Sequence, residues 1–181
     1  MTENEEPLPQ WDPTRKERLL FYGASVLFFV QAGLCIFFYK HLGSSDLLIL
    51  GWLLVVLGVY ANIRARDDFK AFGQAQEEQS FYKTETIVNQ GIYGVIRHPM
   101  YFSFMLIDLG LVAIAQHWIS AVLAVPVLIY LYSAMLDEER LSTKKFGEAY
   151  QDYMQRVPRI NILLGLLRAR ERKNKERSGT E

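Results

Sequence analysis

Residues 97–139 read RHPMYFSFMLIDLGLVAIAQHWISAVLAVPVLIYLYSAMLDEE. The stretch opens on an arginine, a histidine and a proline and closes on three acids. Between Pro99 and Leu136 the only formal charge is Asp108. A run this long is about twice the ~20 apolar residues that cross a bilayer. The polar pair Gln116-His117 divides it into two helical segments, 99–116 and 117–136. Two helices joined by so short a turn lie antiparallel, as a hairpin. The Arg97-His98 end and the Glu138-Glu139 end therefore arrive at the same membrane face.

The rest of the chain fits that reading. It has 181 residues, half of them hydrophobic, and no net formal charge. The charge is strongly segregated: residues 19–39 (LLFYGASVLFFVQAGLCIFFY) and 47–63 (LLILGWLLVVLGVYANI) carry none. Their apolar side chains fall on every helix face, which suits lipid rather than water. The expected fold is all-α: an integral membrane helical bundle with about four transmembrane helices, the N and C termini both cytoplasmic, and cytoplasmic or interfacial C-terminal helices. The first apolar run follows an acidic, proline-containing lead and precedes no small-residue cleavage site, so it does not read as a signal peptide. Residues 1–10 are polar, charged and expected to be disordered.

Loop charge sets the orientation. Arg15, Lys16 and Arg18 precede the first span, and only Lys40 lies between the first and second. Arg64, Arg66, Lys70, Lys83 and Arg97 lie between the second and third, and no Lys or Arg lies at the third turn. Basic residues resume from Arg140 to Arg177. The chain thus divides into a polar N-terminal segment (1–18), two transmembrane helices (19–63), a cytoplasmic connector (64–98), the hairpin (99–136), a helix-bearing segment (137–159) and a basic tail (160–181). The charged start of the connector, RARDDFKAFGQAQEEQ, can continue the second span as a helix. Residues 137–156 have helical spacing, with Phe146, Ala149, Tyr150, Tyr153 and Met154 along one side. The tail is apolar first (INILLGLL) and basic later (RARERKNKER), a pattern suited to an anionic membrane surface or to a helix that frays in solution.

The chemistry gathers at one face. Pro99 fits the first turn of a helix, which leaves Arg97 and His98 just ahead of it. A helix N-terminus there, with the arginine fork beside it, suits a carboxylate. Arg and His also snorkel at span ends, and Tyr93 and Tyr101 can anchor at the interface. Asp137, Glu138 and Glu139 sit poorly at a helix C-terminus, so the helix should run on. Adjacent helical positions point about 100° apart, so at most one or two of these acids share a pocket. A positive corner beside an acidic one, with Tyr150 and Tyr153 available for stacking, suits a ligand with a carboxylate, an amine, a ribose and an adenine. The lone Cys35 reads as a small apolar core residue, and His41, His98 and His117 are too scattered for a metal site.

Arg97-His98-Pro99-Met100-Tyr101, then Glu138-Glu139, then Phe146-Gly147-Glu148-Ala149-Tyr150-Gln151-Asp152-Tyr153, then Val157-Pro158-Arg159 form an ordered set. Over roughly residues 83–160 it resembles the integral-membrane methyltransferases typified by isoprenylcysteine carboxyl methyltransferase, together with their bacterial relatives and the phospholipid N-methyltransferases. The chain departs from that pattern in the Tyr93-Gly94-Val95 run and at INILLGLL, where relatives place a second proline. The resemblance implies S-adenosylmethionine as methyl donor, bound at the cytoplasmic side of the inner or cytoplasmic membrane. It implies a lipophilic small-molecule or lipid acceptor arriving from among the membrane lipids, and no nucleic-acid partner. Tyr93, Arg97, His98, Pro99, Tyr101, Glu138, Glu139, Tyr150 and Tyr153 become cofactor-pocket residues, and 137–159 the cofactor-binding helix. Arg97 and Glu139 are the candidate catalytic residues: Arg97 to hold the cofactor's carboxylate or an acidic acceptor, Glu139 to orient the cofactor. No metal is implied.

Transfer from a sulfonium needs proximity, alignment and exclusion of water more than acid–base work. A carboxylate or neutral amine acceptor needs no base, whereas a thiol does. Asp108, an acid inside a span, is either near the acceptor path or a packing residue. Pro126 is either a lateral opening or a tolerated kink. Two rival readings are a non-enzymatic membrane scaffold or transporter subunit, and a sterol-reductase-like enzyme using NADPH.

Overall fold

The computed structural model describes residues 14–39, 43–73 and 86–178. His41, Lys83, the disordered lead expected at 1–10 and much of the connector lie outside them. Six α-helices and one turn of 3-10 helix account for the secondary structure of the described residues: α1 Arg15–Phe38, α2 Ser45–Phe72, the 3-10 turn Gly91–Gly94, α3 Pro99–Ala115, α4 Trp118–Phe146, α5 Glu148–Arg156 and α6 Ile162–Ser178. The protein is an all-α membrane bundle. α1, α2 and α4 are long and apolar enough to cross a bilayer. α3 has 17 residues, about 25 Å at 1.5 Å per residue. Large apolar side chains such as Phe29, Ile36, Ile49 and Ile129 are exposed, as lipid-facing positions should be.

Local chemistry fixes the helix ends. Thr14 and Glu17 form a capping box that starts α1. α2 runs on through the charged residues beyond Ile63, so the start of the connector is helical. Pro99 occupies the first turn of α3, with His98 as its N-cap. The hairpin turn is only Gln116, in the left-handed region at φ 46°, and His117, the N-cap of α4. α4 passes Pro126 without interruption and extends past the three acids to Phe146. The single helix expected over 137–156 is instead divided at Gly147, whose φ of 57° suits a residue without Cβ and turns the chain into α5.

The tightest packing joins α2 to α3. A Cβ on Gly51 would stand 2.8 Å from the Gly110 carbonyl, one on Gly110 2.8 Å from the Gly51 carbonyl, and one on Gly58 2.8 Å from the Ser103 carbonyl. Small residues spaced seven apart on each helix thus let two backbones touch, which is how helices associate where lipid offers no hydrophobic drive. Asn62 adds a side-chain bond to Ser103 (2.8 Å) across the same seam. α1 joins through Gln31, whose amide donates to the Asp108 carbonyl (3.0 Å), and through Cys35, whose thiol donates to the Leu111 carbonyl. Cys35 is buried, as the sequence suggested.

Candidate functional site

Glu139 is the centre of the polar end of the hairpin. It is buried near the close of α4, and its carboxylate collects donors from three residues in two separated segments. Oε1 accepts from Arg97 Nη2 (2.7 Å) and Nε (3.2 Å), from Arg159 Nε (3.0 Å) and from His98 Nε2 (3.1 Å). Oε2 accepts from Arg159 Nη2 at 2.6 Å. A buried carboxylate is tolerable only with such pairing. Because an ionised carboxylate only accepts, the His98 ring carries a hydrogen on Nε2.

The backbone around this centre is held as firmly. Arg97 Nη1 donates to the Met154 and Val157 carbonyls (2.6 and 2.5 Å), closing the C-terminal end of α5. The Arg97 and His98 amides donate to the Pro158 and Arg159 carbonyls (3.0 and 3.2 Å). The Tyr153 hydroxyl donates to the Tyr93 carbonyl (2.8 Å). Asp68 of α2 accepts from the Ile92 amide (2.7 Å) and from Arg64 (3.2 Å). It lies so close under Gly91 that a Cβ there would strike its carboxylate.

The hairpin therefore brings Arg97, His98 and Glu139 together. Of the three adjacent acids, Glu139 faces inward, Glu138 stands half-buried with Oε1 3.8 Å from His98 Nδ1, and Asp137 pairs with Arg140 on the surface. Pro99 is buried, and Tyr101 sets its ring edge-on to His98, centroids 5.7 Å apart. Tyr150 and Tyr153 pack against each other and Val157, Phe146 and Met154. Tyr93 packs against Ala65 and Val88. Burial, with the nearby Glu138 charge adding, pushes the Tyr150 hydroxyl up to about 12 and the Tyr93 hydroxyl higher; burial does the same to Tyr153. All three stay neutral donors. Asp108 lies nine residues along α3, about 13 Å from its start. It is fully buried and its carboxylate oxygens have no hydrogen-bond partner in the described structure.

Two features differ from the sequence picture. The guanidinium fork of Arg97, expected to meet a carboxylate from outside, is taken up by Glu139 and two carbonyls. Arg159 holds Glu139 in two-pronged fashion, a role its place in Val157-Pro158-Arg159 did not announce. The signal was a basic residue directly after the proline that turns the chain back toward the acids. The Glu139 carboxylate in turn raises the Arg159 guanidinium above its ordinary range.

What remains open for a ligand is specific. His98 Nδ1 is buried and has no hydrogen-bond partner. Nδ1 faces the Glu138 carboxylate at 3.8 Å, beyond hydrogen-bond distance. On the opposite side of Glu139, Arg159 donates to the Tyr132 hydroxyl (2.9 Å) and lies over its ring. Tyr132 belongs to an apolar groove of about 470 Å³ between α3 and α4, lined by Met105, Leu109, Leu128, Ile129, Tyr132 and Ser133.

Residues 47–149, more than half of the chain, match the profile of the phospholipid methyltransferase family. The chain is 33% identical over 134 residues to methanethiol S-methyltransferase 2 of Bradyrhizobium diazoefficiens, covering 71% of this chain and 48% of that protein. It is 32% identical over 77 residues to the protein-S-isoprenylcysteine O-methyltransferase of Schizosaccharomyces pombe, 42% of this chain and 33% of that one. It is 34% identical over 73 residues to protein-S-isoprenylcysteine O-methyltransferase B of Arabidopsis thaliana, 40% of this chain and 37% of that one. The chain thus spans about half or less of the length of these curated relatives. No solved structure matches it. With a match that takes in the Arg97-His98-Pro99 corner and both glutamates, the chain belongs to the phospholipid methyltransferase family.

Proposed function

We propose that this protein is an enzyme that transfers a methyl group from S-adenosylmethionine to a lipophilic acceptor at the cytoplasmic face of a membrane, with four spans and both termini on that side. The observation that carries the reading is the buried His98 Nδ1, which makes no hydrogen bond, next to the half-buried Glu138 and beside a fully paired Glu139. The Glu138 carboxylate, 3.8 Å from that nitrogen, fits a donor such as an ammonium or a sugar hydroxyl, and the cofactor carries both. When bound, S-adenosylmethionine supplies a methyl group already activated on sulfur.

The chain's own residues have three tasks in this reading. Glu138 and His98 Nδ1 bind and orient the cofactor's polar groups, with Tyr101, Tyr93, Tyr150 and Tyr153 forming the surroundings. Arg97, Glu139 and Arg159 hold the corner in shape; Arg97 and Glu139 act as positioning residues, since their polar atoms bond to one another. The groove ending at Tyr132 receives the acceptor's hydrocarbon part, and Arg159 lies between groove and corner. Catalysis then comes from orientation and exclusion of water rather than proton transfer. The relatives' names cover a thiol and a prenylated cysteine, and the groove's apolar lining favours an acceptor with a hydrocarbon chain.

Equilibrium binding to detergent-purified protein tests the reading. S-adenosylmethionine should bind and NADPH should not; the reverse result overturns it in favour of a reductase. Mass spectrometry of lipid extracts and small thiols after incubation with labelled methyl donor then identifies the acceptor.

A further inference from the structure

The C-terminal helix α6 has an unusual division of character. Leu163, Leu164, Leu166 and Leu167 occupy its first turns and are exposed, while Arg168, Arg170, Arg172, Lys173, Lys175 and Arg177 follow, against only Glu171 and Glu176. The apolar and basic residues are separated along the axis rather than around it. One side faces the protein. Gly165 lies so close to Val95 that a Cβ would strike the Val95 carbonyl. Arg172 donates to the Gly94 carbonyl (2.6 Å) and the Arg156 carbonyl (3.1 Å), and Arg168 to the Gln155 carbonyl (3.0 Å). α6 is thus strapped onto the segment that leads into Arg97 and His98. Arg170, Lys173, Lys175 and Arg177 are exposed on its other sides.

The helix starts at a definite level. Its lead-in, Pro158 and Arg159, is bonded to the Arg97 and His98 amides, which directly precede α3 at Pro99. The leucines therefore emerge where a bundle helix begins, at the edge of the hydrocarbon. Four exposed leucines there meet acyl chains rather than water, and the basic half beyond them meets headgroups. The four exposed cations Arg170, Lys173, Lys175 and Arg177 complement an anionic lipid surface.

We infer that α6 is an anchor for anionic lipid headgroups, and that by seating it such lipids hold the Gly94–His98 segment against the site. The inference does not depend on which reaction the site performs.

Amide hydrogen exchange of the full chain in nanodiscs tests it. One set is phosphatidylcholine alone; the other contains phosphatidylglycerol. Exchange over residues 162–178 should be at least fivefold slower with phosphatidylglycerol, and residues 91–97 should slow with it. High salt should reduce the difference, because the attraction is between exposed charges. The variant R170E/K173E/R177E, whose changed side chains are exposed, should fold and lose the lipid dependence. Equal exchange of α6 in the two bilayers overturns the anchor. A slowed α6 with an unchanged 91–97 segment overturns its coupling to the site. Absence of S-adenosylmethionine binding with lipid-dependent protection intact would sink the functional reading and leave the anchor standing.

Discussion

The two ends of the α3–α4 hairpin close in opposite ways. At the far end Gln116 and Ser44 trade two hydrogen bonds, Ser44 N to Oε1 (2.8 Å) and Nε2 to the Ser44 carbonyl (2.7 Å). His117 Nδ1 there accepts from the Ile119 amide (3.2 Å), and its ring stacks on Phe38 at 4.0 Å. Gln116 and Ser44 satisfy one another with no formal charge. At the near end two arginines and a histidine surround Glu139, and a buried ring nitrogen is left over beside Glu138. The far end needs nothing more, so it reads as a fastening. The near end is held by charges that tolerate no missing partner, and it leaves one buried ring nitrogen, His98 Nδ1, without a hydrogen bond.

The contrast can be broken by experiment. Glu139→Leu strands Arg97 and His98 in a buried setting, and thermal unfolding in detergent should report a loss of about 3–5 kcal/mol. Gln116→Leu removes two neutral bonds and should cost about 1–3 kcal/mol. An equal or larger loss at Gln116 would erase the distinction between the ends. Glu138→Gln sharpens it from the other side. Affinity for S-adenosylmethionine, by calorimetry, should fall about tenfold, near 1.4 kcal/mol, with the unfolding temperature unchanged. Loss of stability in step with affinity would return Glu138 to the framework. Tyr153→Phe should be mildest, about 0.5–1.5 kcal/mol for one hydrogen bond to the Tyr93 carbonyl.

Much of this architecture is legible in the sequence, and the reasons are physical. Charge-free runs of bilayer length point to membrane helices, and the proline after Arg97-His98 does sit in a first turn. The meeting of the two corners followed from the length of the runs and the brevity of the turn. Other features were hidden. Gly147 breaks the helix expected over 137–156, but a polar helix tolerates a glycine and periodicity alone does not reveal the positive φ. Nor does helical spacing say which of Glu138 and Glu139 faces inward; that depends on where Arg159 arrives. The chain is reversed beyond Val157 and Pro158, and twenty residues separate Arg159 from its carboxylate, so no local pattern joins them. The sequence picture likewise offered the Arg97 fork to a ligand because a partner inside the same chain leaves no short-range trace.

The Glu139 cluster also has a consequence for biosynthesis. All four helices of the bundle have been translated once residue 146 has left the ribosome, and Arg97, His98 and Glu139 are then at hand. Arg159 comes thirteen residues later, and with it the last donors and the two carbonyls that fasten the Arg97 and His98 amides. The corner is therefore completed by a segment synthesised after the whole hairpin, and until Arg159 has been added Glu139 has only one of its two arginine partners.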